Sequence, residues 1–315
     1  MKKGLVSAII TTHNRLDYLK KAILSVENQT YPNLEIIVVD DSSTDGTMEY
    51  CKSKKNIIYI YIPPENHVNG NYARNLGIKN SKGEYIAFLD DDDEWYNTKI
   101  EKQVLLINTE NNCGCVYTGR NVEVNDGEFY YKIKVKPNCF GDCSRKSLYT
   151  VFSTTSTMLF TRQSLYDVGF FDENLNFWQE TELMIRICQK YKIFSIDDEL
   201  ILYRQKLKDR TQLTNNLDGF MEAVNYINEK HRNLIANLNS NEIKKRNGLI
   251  YQDLANRCTS LGMNFKSRKY LFQLFLLFPS LKKFAKVVLN YTNPTQLKFK
   301  LFFDKYFKGA RYENK

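Results

Sequence analysis

Four consecutive carboxylates, Asp90-Asp91-Asp92-Asp93, are the side chains of this sequence best placed to do chemistry. Packed together, they repel and raise one another's pKa unless a divalent cation or basic groups compensate. Their oxygens suit Mg2+ or Mn2+, ions that commonly bridge a protein carboxylate to the phosphates of a substrate. An isolated acidic run is usually a solvated turn. This one directly follows the apolar run Glu84 to Leu89, and a second acidic pair, Asp40-Asp41, follows the apolar run Glu35 to Val39 in the same way.

The elements that must position these carboxylates are legible in two alternating periodicities. Leu5 to Thr11, Glu35 to Val39, Ile57 to Ile62 and Glu84 to Leu89 are short apolar runs suited to buried strands. Between them, Leu16, Leu19, Ile23 and Val26 recur at helical spacing behind Asn14 as N-cap, and Ser43 to Lys52 and Asn71 to Asn80 also read as helices. The order β-α-β-α-β-α-β predicts an α/β fold with a mostly parallel sheet and helices on both faces. Such sheets bind ligands beyond the C-terminal ends of their strands, which is where both acidic clusters fall. The turn after the first strand, Thr11-Thr12-His13-Asn14-Arg15, has no glycine, and no Walker A sequence occurs. Any phosphate must therefore be held by something other than a glycine cradle.

Four segments, VSAIITTHNR (Val6 to Arg15), EIIVVDDSSTDGT (Glu35 to Thr47), NYARNLGIKNSKGEYIAFLDDDDEW (Asn71 to Trp95) and FWQETELMIRI (Phe177 to Ile187), resemble the ordered motifs of family 2 glycosyltransferases. These are inverting enzymes with the Rossmann-related GT-A fold, and the likeness covers about the first two hundred residues. It implies a donor pocket for a UDP-sugar. Thr11 and His13 would contact the nucleobase, His13 standing where the family often has Tyr, and Asp41 would bond uracil while Asp40 anchors the strand end. Arg74 would face the diphosphate or the sugar, where a guanidinium can make bidentate contacts, and Arg15 joins the nucleotide-sugar-binding set. Asp92 is the implied direct ligand of Mn2+ or Mg2+, with Asp90 or Asp91 on the ribose or a metal-bound water.

The resemblance also implies a base on the far side of the sugar. Glu180 takes that position, with Glu182 as runner-up, although the family commonly has Asp. Phe170, Phe171, Phe177 and Trp178 would desolvate the carboxylate and raise its pKa toward the working pH. As an alternative, Glu180 is an N-terminal helix carboxylate favoured by the dipole. Tyr203-Arg204, Lys206, Lys208 and Arg210 form a basic loop expected to close over the diphosphate, or else a solvated linker. The implied activity is metal-dependent transfer of a hexose to a hydroxyl of a glycan or polyprenyl-diphosphate-linked acceptor, by single displacement, in surface polysaccharide synthesis. Two other classes stay open: an inert nucleotide-sugar-binding relative, and a metal-dependent nucleotidyltransferase or nucleotide-sugar hydrolase.

Composition bounds the rest. With 43% hydrophobic and 26% charged residues over 315 positions, the chain is neither disordered nor a disulfide miniprotein. We expect a catalytic domain over residues 1–210, divided into a nucleotide-binding half (1–95) and an acceptor half (96–210), then a helical basic and apolar region over 211–315. From Asn264 to Lys315, twelve basic residues face only Asp304 and Glu313, a net of +10 against +9 for the whole chain. Basic residues beside apolar stripes suit an interfacial helix on anionic lipid, or equally a packed appendage with solvated lysines. No nucleic-acid recognition motif accompanies them. No run reaches the ~18 to 20 apolar residues of a membrane span, and the N-terminus lacks a secretory core. The expected location is cytoplasmic, peripheral at the membrane's inner face. Seven cysteines, an odd number, are expected to be reduced thiols; Cys113 with Cys115 and Cys139 with Cys143 lack the usual zinc-knuckle spacing.

Overall fold

The computed structural model describes residues 1–125, 130–206 and 216–289. The chain divides into two compact units, one comprising Met1–Ser147 and Val151–Lys206, the other Leu148–Thr150 and the residues from Leu207 on.

The first unit opens with β1 (Lys2–Thr12), α1 (Leu16–Glu27), β2 (Leu34–Asp41), α2 (Thr47–Ser53), β3 (Ile57–Ile62), α3 (Gly70–Asn80) and β4 (Gly83–Asp90). These alternate as the periodicity predicts. It continues with β5 (Glu94–Trp95), α4 (Lys99–Thr109), β6 (Cys113–Asn125), β7 (Tyr130–Val135), β8 (Met158–Thr161), α5 (Arg162–Val168), α6 (Gln179–Lys190) and β9 (Lys192–Lys206). The strands form one sheet in the order β3-β2-β1-β4-β8-β6-β9-β5, with β7 paired to β6. The β3-β2-β1-β4 half is parallel; β8 then joins β4 and β6 antiparallel, so the sheet is mixed.

Alternation along β1 divides the core between the two faces. Ile9 packs in a cluster with Ile37 and Phe88 of the sheet, Ala73 and Ile78 of α3, and Leu183 of α6. Val6, Ala8 and Ile10 point into the other, with Leu19 and Ile23 of α1 and Ile100 and Val104 of α4. Each fully buried Leu or Ile contributes roughly 1.5–3 kcal/mol, so the two clusters fix the strand ends that the site needs.

Two local expectations are corrected. Asn14 does not cap α1: it sits at φ 51, and its side-chain oxygen accepts from the Thr44 amide at 2.7 Å. Asp45 instead accepts from the Leu16 amide at 2.8 Å. The second helix begins at Thr47 rather than Ser43, because Ser43 to Asp45 are spent tying the loop after β2 to the loop after β1.

The second unit is helical where described: α7 (Leu217–Lys230), α8 (Arg232–Ala236), α9 (Ser240–Ser260), α10 (Asn264–Leu277) and α11 (Leu281–Leu289). Asn239 and Glu242 form a capping box that starts α9. Buried Arg246 ties α9 to Asn228 of α7 at 2.6 Å and to the Leu148 carbonyl. Of the expected basic loop, Tyr203, Arg204 and Lys206 lie instead on strand β9, paired with Val122, Glu123 and Asn125 of β6, while Lys208, Arg210 and residues 290–315 of the basic C-terminal region lie outside the described residues. All seven cysteines are free and buried.

Candidate active site

Strand register brings the candidate residues to one edge. Thr11 lies opposite Val39 on one side and Asp90 on the other, and Thr12 lies opposite Asp40. The ends of β1, β2 and β4 therefore present Thr11, Asp41 and Asp90 together.

At the β2 end, Asp40 is buried and accepts from the Ser43 amide at 2.9 Å and the Tyr59 hydroxyl at 2.6 Å, which closes the turn. Asp41 is differently placed. One of its oxygens lies 2.7 Å from Nδ1 of His67, and the other, Oδ1, is buried with no hydrogen-bond partner. The His13 ring contacts the Asp41 carbonyl through Nδ1 and stands 3.1 Å from the Asn14 amide nitrogen.

At the β4 end each carboxylate has its own restraint. Asp90 pairs with Arg74 at 2.7 Å, and that guanidinium also lies over the Phe171 ring. Asp91 accepts from Thr12 at 2.8 Å and from Arg15 at 3.0 Å; burial nevertheless raises its pKa to about 6 against the pull of Arg15 and Thr12. Asp92 lies 3.2 Å from the same Arg15 nitrogen, and burial together with the charge of Asp90 raises its pKa. Asp93 faces inward, accepting from the Ser156 hydroxyl at 2.6 Å, and burial pushes its pKa well up. Ser156 also receives the Asp90 amide at 3.1 Å, so one buried hydroxyl fixes both ends of the acidic run. Arg204 of β9 pairs with Glu94 at 2.6 Å and donates to the Asp92 carbonyl at 3.2 Å.

Glu180 occupies the first turn of α6, after Trp178 in a left-handed conformation (φ 53). Its pKa is raised, first by burial; the charge of Asp90 pushes the same way, and Arg74 and Arg120 oppose it. That electrostatic reach ties α6 to the β4 end. Glu182, by contrast, is fully buried and gripped by Arg186, whose Nη2 lies 2.6 Å away; Arg186 in turn donates to the Val168 and Phe170 carbonyls at 2.7 and 2.6 Å.

The loop leading into α6 is held by α3. Asn71 donates to the Asp172 and Leu175 carbonyls at 2.8 and 2.7 Å, and Asn75 exchanges two hydrogen bonds with the Phe171 backbone. Asn71, Arg74 and Asn75 thus place the loop into α6 and the β4 carboxylate from one helical face, an i, i+3, i+4 spacing visible in the sequence. His67, Ser156 and Arg120 had no such local signal.

A divalent cation fits the donor set. Asp90 and Asp92 keep about a third of their side-chain surface open, at 32% and 30%, and offer hard oxygen donors whose mutual repulsion a cation would relieve. Among the described residues no group of three or more metal-binding side chains is gathered. A cation here would complete its shell with phosphate and water, the pattern common for Mg2+.

Residues 7–170 match the profile of Glycosyl transferase family 2, more than half of the chain. The chain belongs to that family. A glycosyltransferase of Rickettsia conorii with no characterised activity is 33% identical over 70% of this chain and 35% of its own length. The chain spans about a third of the length of three of the Rickettsia relatives it matches, those of R. bellii, R. conorii and R. felis. The UDP-Glc:alpha-D-GlcNAc-diphosphoundecaprenol beta-1,3-glucosyltransferase WfaP of Escherichia coli is 43% identical over 34% of this chain and 42% of its own. In fold, this family 2 chain is similar to S. aureus TarS 1-349, solved with UDP-GlcNAc, at a TM-score of 0.59 and 17% identity over 98% of this chain and 93% of that one.

Proposed function

We propose that the chain is an inverting glycosyltransferase that moves a hexose from a UDP-sugar to a hydroxyl of a glycan or lipid-diphosphate-linked acceptor in surface polysaccharide synthesis. The observation that carries this is that Glu180, a carboxylate whose pKa burial raises, lies within electrostatic reach of the Arg74–Asp90 pair at the strand ends. Family membership and the likeness to WfaP support the reaction class and the UDP-sugar.

In this reading residues 1–95 hold the nucleotide, 96–210 the acceptor, and 211–315 are a basic C-terminal region that is helical where described. Thr11 and His13 flank the base. The unpartnered Oδ1 of Asp41 accepts an N–H from uracil, and His67 steadies the other oxygen. Arg15, Arg74 and Arg204 supply positive charge beside the diphosphate. Asp92 would hold Mn2+ or Mg2+ with Asp90 or Asp91 behind it, and the ion would supply Lewis-acid neutralisation of the leaving diphosphate. Glu180 accepts the proton of the acceptor hydroxyl as its oxygen bonds the anomeric carbon and the carbon–oxygen bond to UDP breaks on the opposite face. The configuration inverts. Glu182, engaged by Arg186, positions the turn before α6 rather than acting as base.

Calorimetric titration of UDP, with GDP and CDP as comparisons, in the presence and absence of Mn2+ tests the donor half. Tight UDP binding that needs Mn2+ and is lost in Asp92→Ala is expected; no UDP binding under either condition would overturn the reading. Product analysis tests the rest: sugar moved to a hydroxyl is expected, whereas free sugar or released pyrophosphate would assign a hydrolase or nucleotidyltransferase.

A further inference from the structure

The arginines around the acidic edge differ in one respect. Arg15, Arg74 and Arg204 each form an ion pair with a carboxylate of the site. Arg120 forms none among the described residues. Its guanidinium makes a single hydrogen bond there, from Nη1 to the Ser153 hydroxyl at 3.3 Å, and its Nε is buried without any partner. It rests over the Tyr203 ring, 5.4 Å from the centroid, and stays half-buried rather than sealed.

The backbone aims it. Along β6, the pairing with β9 shifts register between Cys113 and Cys115, between Thr118 and Gly119 and again between Gly119 and Asn121, so Arg120 sits on one of the irregularities of this ladder. Bulges of this kind turn a side chain away from its regular direction and recur beside active sites. Arg120 here lies within electrostatic reach of Glu180 and Asp93, beside the carboxylate read as the base.

A desolvated guanidinium without a counter-ion is costly, and its planar fork matches phosphate or carboxylate. Asp93 and Glu180 lie within electrostatic reach of Arg120, but among the described residues no carboxylate pairs with its fork, which is left for an anionic ligand to engage. The geometry points to Arg120 as the residue that recognises a phosphate or diphosphate ester on the acceptor sugar whose hydroxyl Glu180 deprotonates. This rests on the reading of Glu180 as base and names the chemical class of acceptor: an anionic glycosyl phosphate rather than a neutral glycan end. Tyr203 supplies the platform and Ser153 fixes the rotation of the fork, so the charge is pre-set when the acceptor arrives.

The test uses N-acetylglucosamine 1-phosphate as the anionic probe and N-acetylglucosamine as the neutral one, titrated into the full chain saturated with UDP and Mn2+. The phosphate should bind more tightly than the neutral sugar, and Arg120→Ala should erase that preference by about 10- to 100-fold, the worth of a hydrogen bond to a charged group. Arg120→Lys, which keeps the charge and loses the fork, should retain part of it. UDP affinity and the melting temperature should stay close to wild type in Arg120→Lys. Equal binding of the two probes by the wild type would overturn the proposal. So would a preference that survives in Arg120→Ala, or a matching loss of UDP affinity, which would move Arg120 to the donor side. The same pair of titrations without UDP separates this proposal from the donor reading: failure of UDP to bind would sink the latter, while the Arg120-dependent preference still decides the former.

Discussion

Glu180 is caught between groups of opposite effect. Burial raises its pKa above 4.5, Asp90 adds to the rise, and the cations Arg74 and Arg120 counter it. A base works in its ionised form, so the acid limb of kcat/KM is expected above pH 4.5. Removing a cation disfavours the carboxylate, and Arg120→Ala is therefore expected to move that limb to higher pH; a limb that stays in place would separate Arg120 from Glu180. Glu180→Gln is expected to lower kcat by about 10²- to 10⁴-fold with UDP affinity unchanged, and unaltered turnover would remove Glu180 from the mechanism. The stability consequence has the opposite sign. A carboxylate whose folded pKa is raised favours the fold below its unfolded pKa, and that contribution is lost as pH rises through the folded value. At neutral pH the neutral isostere should accordingly melt no lower than wild type, and somewhat higher, by scanning calorimetry. Loss of activity without loss of stability marks a site residue.

At the scale of elements, α3 does most of the positioning. It can lie close to β1 because Gly77 has no side chain: a Cβ there would stand 2.5 Å from Cγ2 of Ile9. Gly77→Ala should force the helix off the sheet and cost about 1–3 kcal/mol, read as a lower urea midpoint with an unchanged slope. Because Arg74 rides on the same helix, UDP binding by the folded fraction should weaken as well; an unshifted midpoint would show that Ile9 gives way freely. The sequence carries this element plainly, since Asn71, Arg74, Asn75 and Gly77 sit at helical spacings in one short segment. The parallel strands are equally legible as apolar runs, two of which, β2 and β4, end in acids. Ser156, Arg120 and His67 were not. Ser156 meets Asp90 and Asp93 from more than sixty residues away, and Arg120 sits at a register shift between strands far apart in the chain. No local pattern encodes either relation. The cap expected at Asn14 and the helix start expected at Ser43 fail for a related reason, because these polar residues bond across loops instead.

For the molecule as a whole, the described C-terminal helices leave large apolar side chains in solvent. Phe265 is 85% exposed and Leu281 89%, and Phe284 and Val288 lie on α11 beside Lys282, Lys283 and Lys286. No described helix is long and apolar enough to cross a membrane. We read this face as one that rests on an anionic lipid surface, where lysines find phosphate and the apolar side chains enter the headgroup boundary. Sedimentation with phosphatidylserine vesicles at low salt should carry the protein down, and high salt should release it through screening; indifference to the vesicles would leave the helices as a packed appendage. The burial of all seven thiols has a further use. The native surface gives sulfhydryl dyes no ready anchor, so a cysteine introduced at Ser280, just ahead of α11, would become the one fast-labelling position. A polarity-sensitive fluorophore attached there would report contact with lipid directly, with no background from the rest of the chain.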